Sequence, residues 1–99
     1  MKNGMRPIHP GEILREEYLV PLGLSANALA SALRVPANRI SGIIVGKRSV
    51  TADTALRLEQ FFGTSAQFWL NLQTSYELRL AEQDAGRDIG QIRRLDVAQ

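Results

Sequence analysis

Apolar residues recur along this chain at helical rather than strand spacing. From Leu24 to Arg48 the sequence LSANALASALRVPANRISGIIVGKR carries two short helical stripes in succession. Ala26, Leu29, Ala30 and Leu33 stand at i, i+3, i+4 and i+7, one face of an α-helix, and Ser25 suits its N-cap. Ile40, Ile43 and Ile44 repeat the i, i+3, i+4 pattern, with Pro36 at a first turn where a missing N–H is harmless. Only Leu33, Arg34 and Val35 lie between. Helices this short need a neighbour, because nucleation is costly and each buries a single stripe. The small Ala30 permits a close crossing.

Around this pair the spacing predicts three more helices. His9-Pro10-Gly11-Glu12 reads as a helix start, with Pro10 near the first position and Glu12 where the helix dipole favours negative charge. That helix runs to about Leu19, burying Ile13, Leu14, Tyr18 and Leu19, before Pro21 and Gly23 force a loop. Gly46 ends the second of the short helices, Lys47 to Val50 form a basic loop, and Thr51 caps a helix in which Ala55, Leu58 and Phe62 follow the period with Leu56 beside them. Gly63 stops it. Thr64-Ser65-Ala66-Gln67 matches a capping box and opens a fifth helix, from about Ser65 to Asp84. Its apolar residues, among them Phe68, Trp69, Leu70, Leu72, Tyr76, Leu78 and Leu80, spread too widely for one stripe, so one face packs inside the monomer and another reaches beyond it. The expectation is an all-α, five-helix domain over residues 9–85, with a flexible arm at 1–8 bearing Lys2 and Arg6 and a short tail at 86–99 broken by Gly86 and Gly90.

Charge sharpens the picture. No acidic residue stands between Glu17 and Asp53, while Arg34, Arg39, Lys47 and Arg48 give that interval a charge of +4. The remainder holds eight basic and ten acidic residues, so the net charge of +2 hides a basic segment on a slightly acidic body. This distribution is expected where one face meets phosphate. Two helices joined by a three-residue turn are also the layout that presents a helix to the DNA major groove. The 99 residues fit one small domain, which a dimer would help to stabilise. The absence of cysteine excludes disulfides and thiolate metal sites and suits the cytoplasm. No apolar run approaches membrane-spanning length, and the N-terminus lacks a secretory core.

Candidate sites follow. On the second short helix Ala37, Asn38, Arg39, Ser41 and Gly42 lie opposite the isoleucines. Asparagine reads adenine, arginine reads guanine and alanine touches the thymine methyl, so Ala37, Asn38, Arg39 and Ser41 are the candidate base readers. Ser25, Asn27, Lys47 and Arg48 are the candidates for phosphate. The competing reading is a helical hairpin whose polar face is merely solvated. His9, the sole histidine, reads as a helix-start residue, since no partner exists to build a metal site or a nucleophile and base pair. Glu12, Glu16 and Glu17 read as a solvated face. No cofactor, metal, small-molecule substrate or catalytic constellation is indicated. Phe68, Trp69 and Tyr76 read as core plus a dimer surface in preference to a ligand pocket.

His9-Pro10-Gly11-Glu12-Ile13-Leu14, Val35-Pro36, Gly46-Lys47-Arg48, Thr51-Ala52-Asp53-Thr54-Ala55-Leu56-Arg57-Leu58 and Gly63-Thr64-Ser65 followed by Phe68-Trp69-Leu70-Asn71-Leu72-Gln73 together resemble the HigA (VapI-like) antitoxins. These are a branch of the XRE, lambda-repressor-like helix-turn-helix proteins, and the resemblance spans about Ile8 to Glu82. It implies a five-helix domain that dimerises through its C-terminal helical region, binds operator DNA, represses its own operon and neutralises a HigB toxin, a RelE-like mRNA endonuclease. It implies no catalysis by the chain itself. By motif position it places Ala37, Asn38, Arg39 and Ser41 at the bases and Phe68, Trp69, Leu72, Gln73 and Tyr76 in the dimer region. Two departures stand out: Arg34 occupies a turn position usually held by glycine, implying a left-handed residue, and Gly42 and Val45 stand where longer polar residues are usual. A stand-alone repressor without a toxin, or a protein-interaction module that has lost DNA readout, are the alternatives.

Overall fold

The computed structural model describes residues 6–96. Lys2 and the rest of residues 1–5 of the expected arm, and residues 97–99 of the tail, lie outside the described residues. Among those described the chain forms five helices and no strand, and no helix is long and apolar enough to cross a membrane.

Helix α1 begins as a regular turn at Pro10–Ile13, widens into π-helix over Leu14–Leu19 and closes with Val20–Leu22. His9 caps it, with Pro10 at the first position as the sequence predicts. Pro21 does not force a loop at this point; it lies inside the helix. The reason is the wide register just before it, in which the Val20 N–H reaches the Arg15 carbonyl. The i to i−4 bond that proline cannot make is not the bond in use there. The helix ends at Gly23, whose φ of 63° lets the Leu24 N–H reach back to the Leu19 carbonyl at 2.9 Å.

Helices α2 (Ala26–Leu33) and α3 (Ala37–Ile44) form the predicted pair. Ser25 Oγ accepts from the Ala28 N–H at 3.0 Å, and Arg34, with φ 64° and ψ 43°, is the left-handed residue that closes α2. Pro36 is the N-cap of α3, one place earlier than the spacing suggests. Thr51 caps α4 (Ala52–Phe62), which stops at left-handed Gly63. Leu56, on its outer side, is exposed.

Helix α5 departs from the expected capping box. Its cap is Ser65, whose Oγ accepts from the Phe68 N–H at 3.0 Å, while Thr64 Oγ1 accepts from the Trp69 indole N–H at 2.9 Å and Gln67 donates to Asn71. Burial of the indole leaves its N–H in need of a partner, and Thr64 is the hydroxyl beside it. The helix also continues past Gly86 to Ile89, where a stop near Asp84 was expected. The extra turns project from the body: the radius of gyration is 16.9 Å, against about 12 Å for a sphere-like domain of this size.

The core collects Leu14 and Leu19 of α1, Leu29, Ala30 and Leu33 of α2, Ile40 and Ile43 of α3, Val50, Ala55 and Leu58, and Trp69 of α5. Tyr18 lies 4.9 Å from Phe62 and 5.2 Å from Trp69, ring centre to ring centre, and seals the α1 side.

Candidate nucleic-acid interface

Helix α3 has two sharply different faces. Ile40 and Ile43 are wholly buried, which fixes the helix on α2 and α1 and turns the opposite side outward. At i, i+3, i+4 and i+7 on that side stand Asn38, Ser41, Gly42 and Val45, with Ala37 and Arg39 flanking them. Asn38 and Ser41 are exposed, as is Ala37. These candidate readers therefore share one outward surface.

Arg39 is placed differently from the other three. Its Nη1 lies 2.6 Å from Asp53 Oδ2, and the same oxygen accepts from Arg57 Nε at 2.9 Å. Arg57 in turn donates to the Leu33 carbonyl at 2.8 Å, finishing the α2 C-terminus. Asp53, which marks the end of the acid-free interval in sequence, thus folds back onto it, and the Arg57 and Arg39 guanidiniums hold its pKa below the usual carboxylate value. Arg39 is an ion-paired flank of the stripe in this structure. Spacing could not show this, since the partners are fourteen residues apart.

The phosphate candidates lie at helix ends. Ser25 uses its oxygen to cap α2, which leaves its O–H to donate outward, and Asn27 is exposed in the same first turn. Lys47 and Arg48 are exposed where the chain leaves α3; both of their backbone N–H groups return to the Gly42 carbonyl, at 2.8 and 3.1 Å. Arg34 is exposed at the turn. Arg6, a residue of the expected arm, grips Glu12 with both terminal nitrogens, at 3.0 and 2.8 Å.

Behind α3 sits a junction that sequence reading largely missed. A methyl group on buried Gly11 would lie 1.7 Å from the Ile43 carbonyl oxygen, so α1 can approach α3 only with glycine here. His9 Nδ1 accepts from the Gly11 N–H at 2.8 Å, and the ring stands edge-on to Tyr76 at 4.8 Å. Burial lowers the His9 pKa below 6.5, opposed by a backbone hydrogen bond with Arg48 and the charge of Glu77. His9 thereby joins α1, the loop after α3 and α5. The histidine was visible in sequence as a helix start; nothing in the local pattern announced its reach to residues 46–48 and 76.

The residues expected at a dimer surface divide. Trp69 is fully buried, and Gln73 is 6% exposed, its Oε1 accepting the Val50 N–H at 2.8 Å. Both are consumed within the monomer, one as core and one as the partner of a buried backbone N–H, and neither has surface left for a second chain. Phe68 remains exposed, and Leu72 and Tyr76 are half-buried on the same helix. Leu78, further out, is 61% exposed.

Comparison with known proteins places this geometry. The helix-turn-helix family matches residues 14–69. The chain is 64% identical over 83 residues to virulence-associated protein I of Dichelobacter nodosus, an overlap of 84% of this chain and 77% of that one. It is similar in structure to an addiction module antidote protein of the HigA family from Coxiella burnetii, with TM-score 0.87 and 51% identity, covering 92% of this chain and all of that one. It is equally similar to the Pseudomonas aeruginosa antitoxin HigA with higBA promoter, with TM-score 0.88 and 48% identity, covering 92% of this chain and all of the other.

Proposed function

Since the chain belongs to the HigA family of helix-turn-helix antitoxins, we propose that it binds the operator of its own operon as a homodimer and neutralises a HigB-like, RelE-type mRNA endonuclease toxin. The observation that carries the DNA reading is the outward stripe of α3: Asn38 and Ser41 exposed, no carboxylate on the stripe, Lys47 and Arg48 at its end, and Ile40 and Ile43 clamped beneath. In this reading Asn38, Ser41 and Ala37 meet base edges, and Arg39 joins them when it leaves or shares Asp53. Ser25, Asn27 and Lys47 hold phosphates. Phe68, Leu72, Tyr76 and the exposed Leu78 supply the dimer face, setting two α3 helices about 34 Å apart for successive major grooves.

The relative with a promoter in its structure supports operator binding for this chain. Toxin neutralisation rests on the antidote and antitoxin names of the relatives. A titration of the protein into labelled DNA from upstream of its own gene, beside a scrambled duplex at the same salt, tests the first part. Asn38→Ala should remove most of the preference, and equal affinity of the unaltered protein for both duplexes would sink the operator reading. Co-expression with the neighbouring small basic reading frame tests the second: growth rescue with co-purification is expected, and a toxic neighbour that is neither rescued nor bound leaves a stand-alone repressor.

A further inference from the structure

Of the four residues in the outward stripe of α3, Gly42 alone brings no side chain to the surface. The space it leaves is not empty. A methyl built on Gly42 would stand 2.8 Å from Arg48 Cδ, 2.9 Å from Cγ and 3.3 Å from Nε, so the Arg48 side chain lies directly across the helix at this place. Its root is fixed on two sides: the Arg48 N–H donates to the Gly42 carbonyl at 3.1 Å, and a backbone hydrogen bond joins Arg48 to the His9 imidazole. The side chain itself is exposed, and among the described residues no carboxylate pairs with it. Arg39 on the flank is the opposite case, held by Asp53 at 2.6 Å.

We propose that Arg48 is a base-reading residue: it crosses the saddle at Gly42 to present its guanidinium on the recognition face beside Asn38 and Ser41, taking the place of the side chain that position 42 lacks. The inference rests on the operator reading above and moves Arg48 from the phosphate set to the specificity set. Three physical points favour it. The planar fork of arginine holds two N–H donors in fixed register with the two acceptors on the guanine edge, where lysine offers a flexible point charge. A long side chain laid along a helix loses less freedom on binding than one waving in solvent. A guanidinium that no carboxylate pairs with among the described residues has no such ion pair to break before it meets a base.

The test uses the full chain and fluorescence anisotropy on its own upstream DNA and on a scrambled duplex, across a salt series. Arg48→Lys keeps the charge and removes the fork. It should cut the ratio of the two affinities at least tenfold while leaving the salt dependence unchanged. Gly42→Ala leaves Arg48 in the sequence but fills the saddle, and should lower the ratio in the same direction. The double variant should lose no more than Arg48→Lys alone, because both changes remove one contact. If Arg48→Lys keeps the ratio, and Arg48→Ala weakens both duplexes equally with a shallower salt dependence, Arg48 is a phosphate contact and the proposal is wrong while operator binding stands. If the unaltered chain binds both duplexes alike, operator binding fails first and this assignment with it.

Discussion

Helix α3 and the outer half of α5 are helical for opposite reasons. α3 is eight residues of ANRISGII, in which Asn, Ser, Gly and three Ile outnumber the strong helix formers Ala and Arg, with the glycine on its exposed stripe. It exists because Ile40 and Ile43 are buried and its neighbours clamp it. α5 is three times as long, yet its buried residues, Trp69 and Gln73, both fall in its first eight positions. Beyond them Glu77, Leu78, Arg79, Leu80, Ala81, Glu82 and Gln83 are good helix formers that sustain the coil with little burial. The contrast shows that the surface offered to a ligand is held by packing from behind, and the projecting rod is held by local propensity. A substitution should therefore act by its volume near α3 and by its backbone preference far out on α5.

The strongest test of that contrast is Gly11→Ala. Its added methyl meets the Ile43 carbonyl at 1.7 Å, so the cost should be about 3 kcal/mol or more, read as a lowered denaturant midpoint by circular dichroism. An unchanged midpoint would mean that α1 does not hold α3 from behind. Next in size is Gln73→Leu, which preserves bulk but strips the buried Val50 N–H of its acceptor; a loss of about 1–3 kcal/mol is expected. The same glycine-to-alanine exchange at Gly86 should have the reverse sign. A methyl there meets nothing within 4 Å, and the gain in helix propensity should stabilise by about 0.5–1 kcal/mol; a destabilisation would show that the outer half of α5 is packed after all.

The smallest effect is in pH. Burial holds His9 below 6.5, so the folded chain binds fewer protons than the unfolded one in the window beneath that value. The stability from neutral His9 is fully present above 6.5 and is lost as pH falls toward the lowered folded value. His9→Asn keeps a capping acceptor and removes the titration, and should flatten the stability profile as pH falls below 6.5. Glu12 and Asp53, also lowered, act in the same direction but from 4.5 and 3.8 downward, so the windows separate.

Much of this was legible in the chain. Ser25 and Thr51 as caps, Gly63 as a stop and the division of α3 into an isoleucine face and a polar face all follow from spacing within one or two turns, while the left-handed Arg34 followed from the family resemblance, which puts glycine at that turn. Pro21 was misread because its tolerance depends on a widened register upstream, and Thr64 because its hydroxyl is taken by an indole five residues on. Which of Phe68, Trp69, Leu72, Gln73 and Tyr76 is core and which is surface was not legible, because an aromatic or an amide on a long helix carries no mark of which neighbour will cover it.

The sequence by itself determined the five helices, their order and which side of α3 is polar, because hydrophobic period and capping chemistry act over three or four residues. The tertiary structure alone decided that Arg39 is tied to Asp53, that Gln73 serves Val50, and that Arg48 lies over Gly42. Each of those depends on which helices cross and at what distance, and a crossing is set by the volumes of residues far apart in the chain, Gly11 against Ile43 first among them.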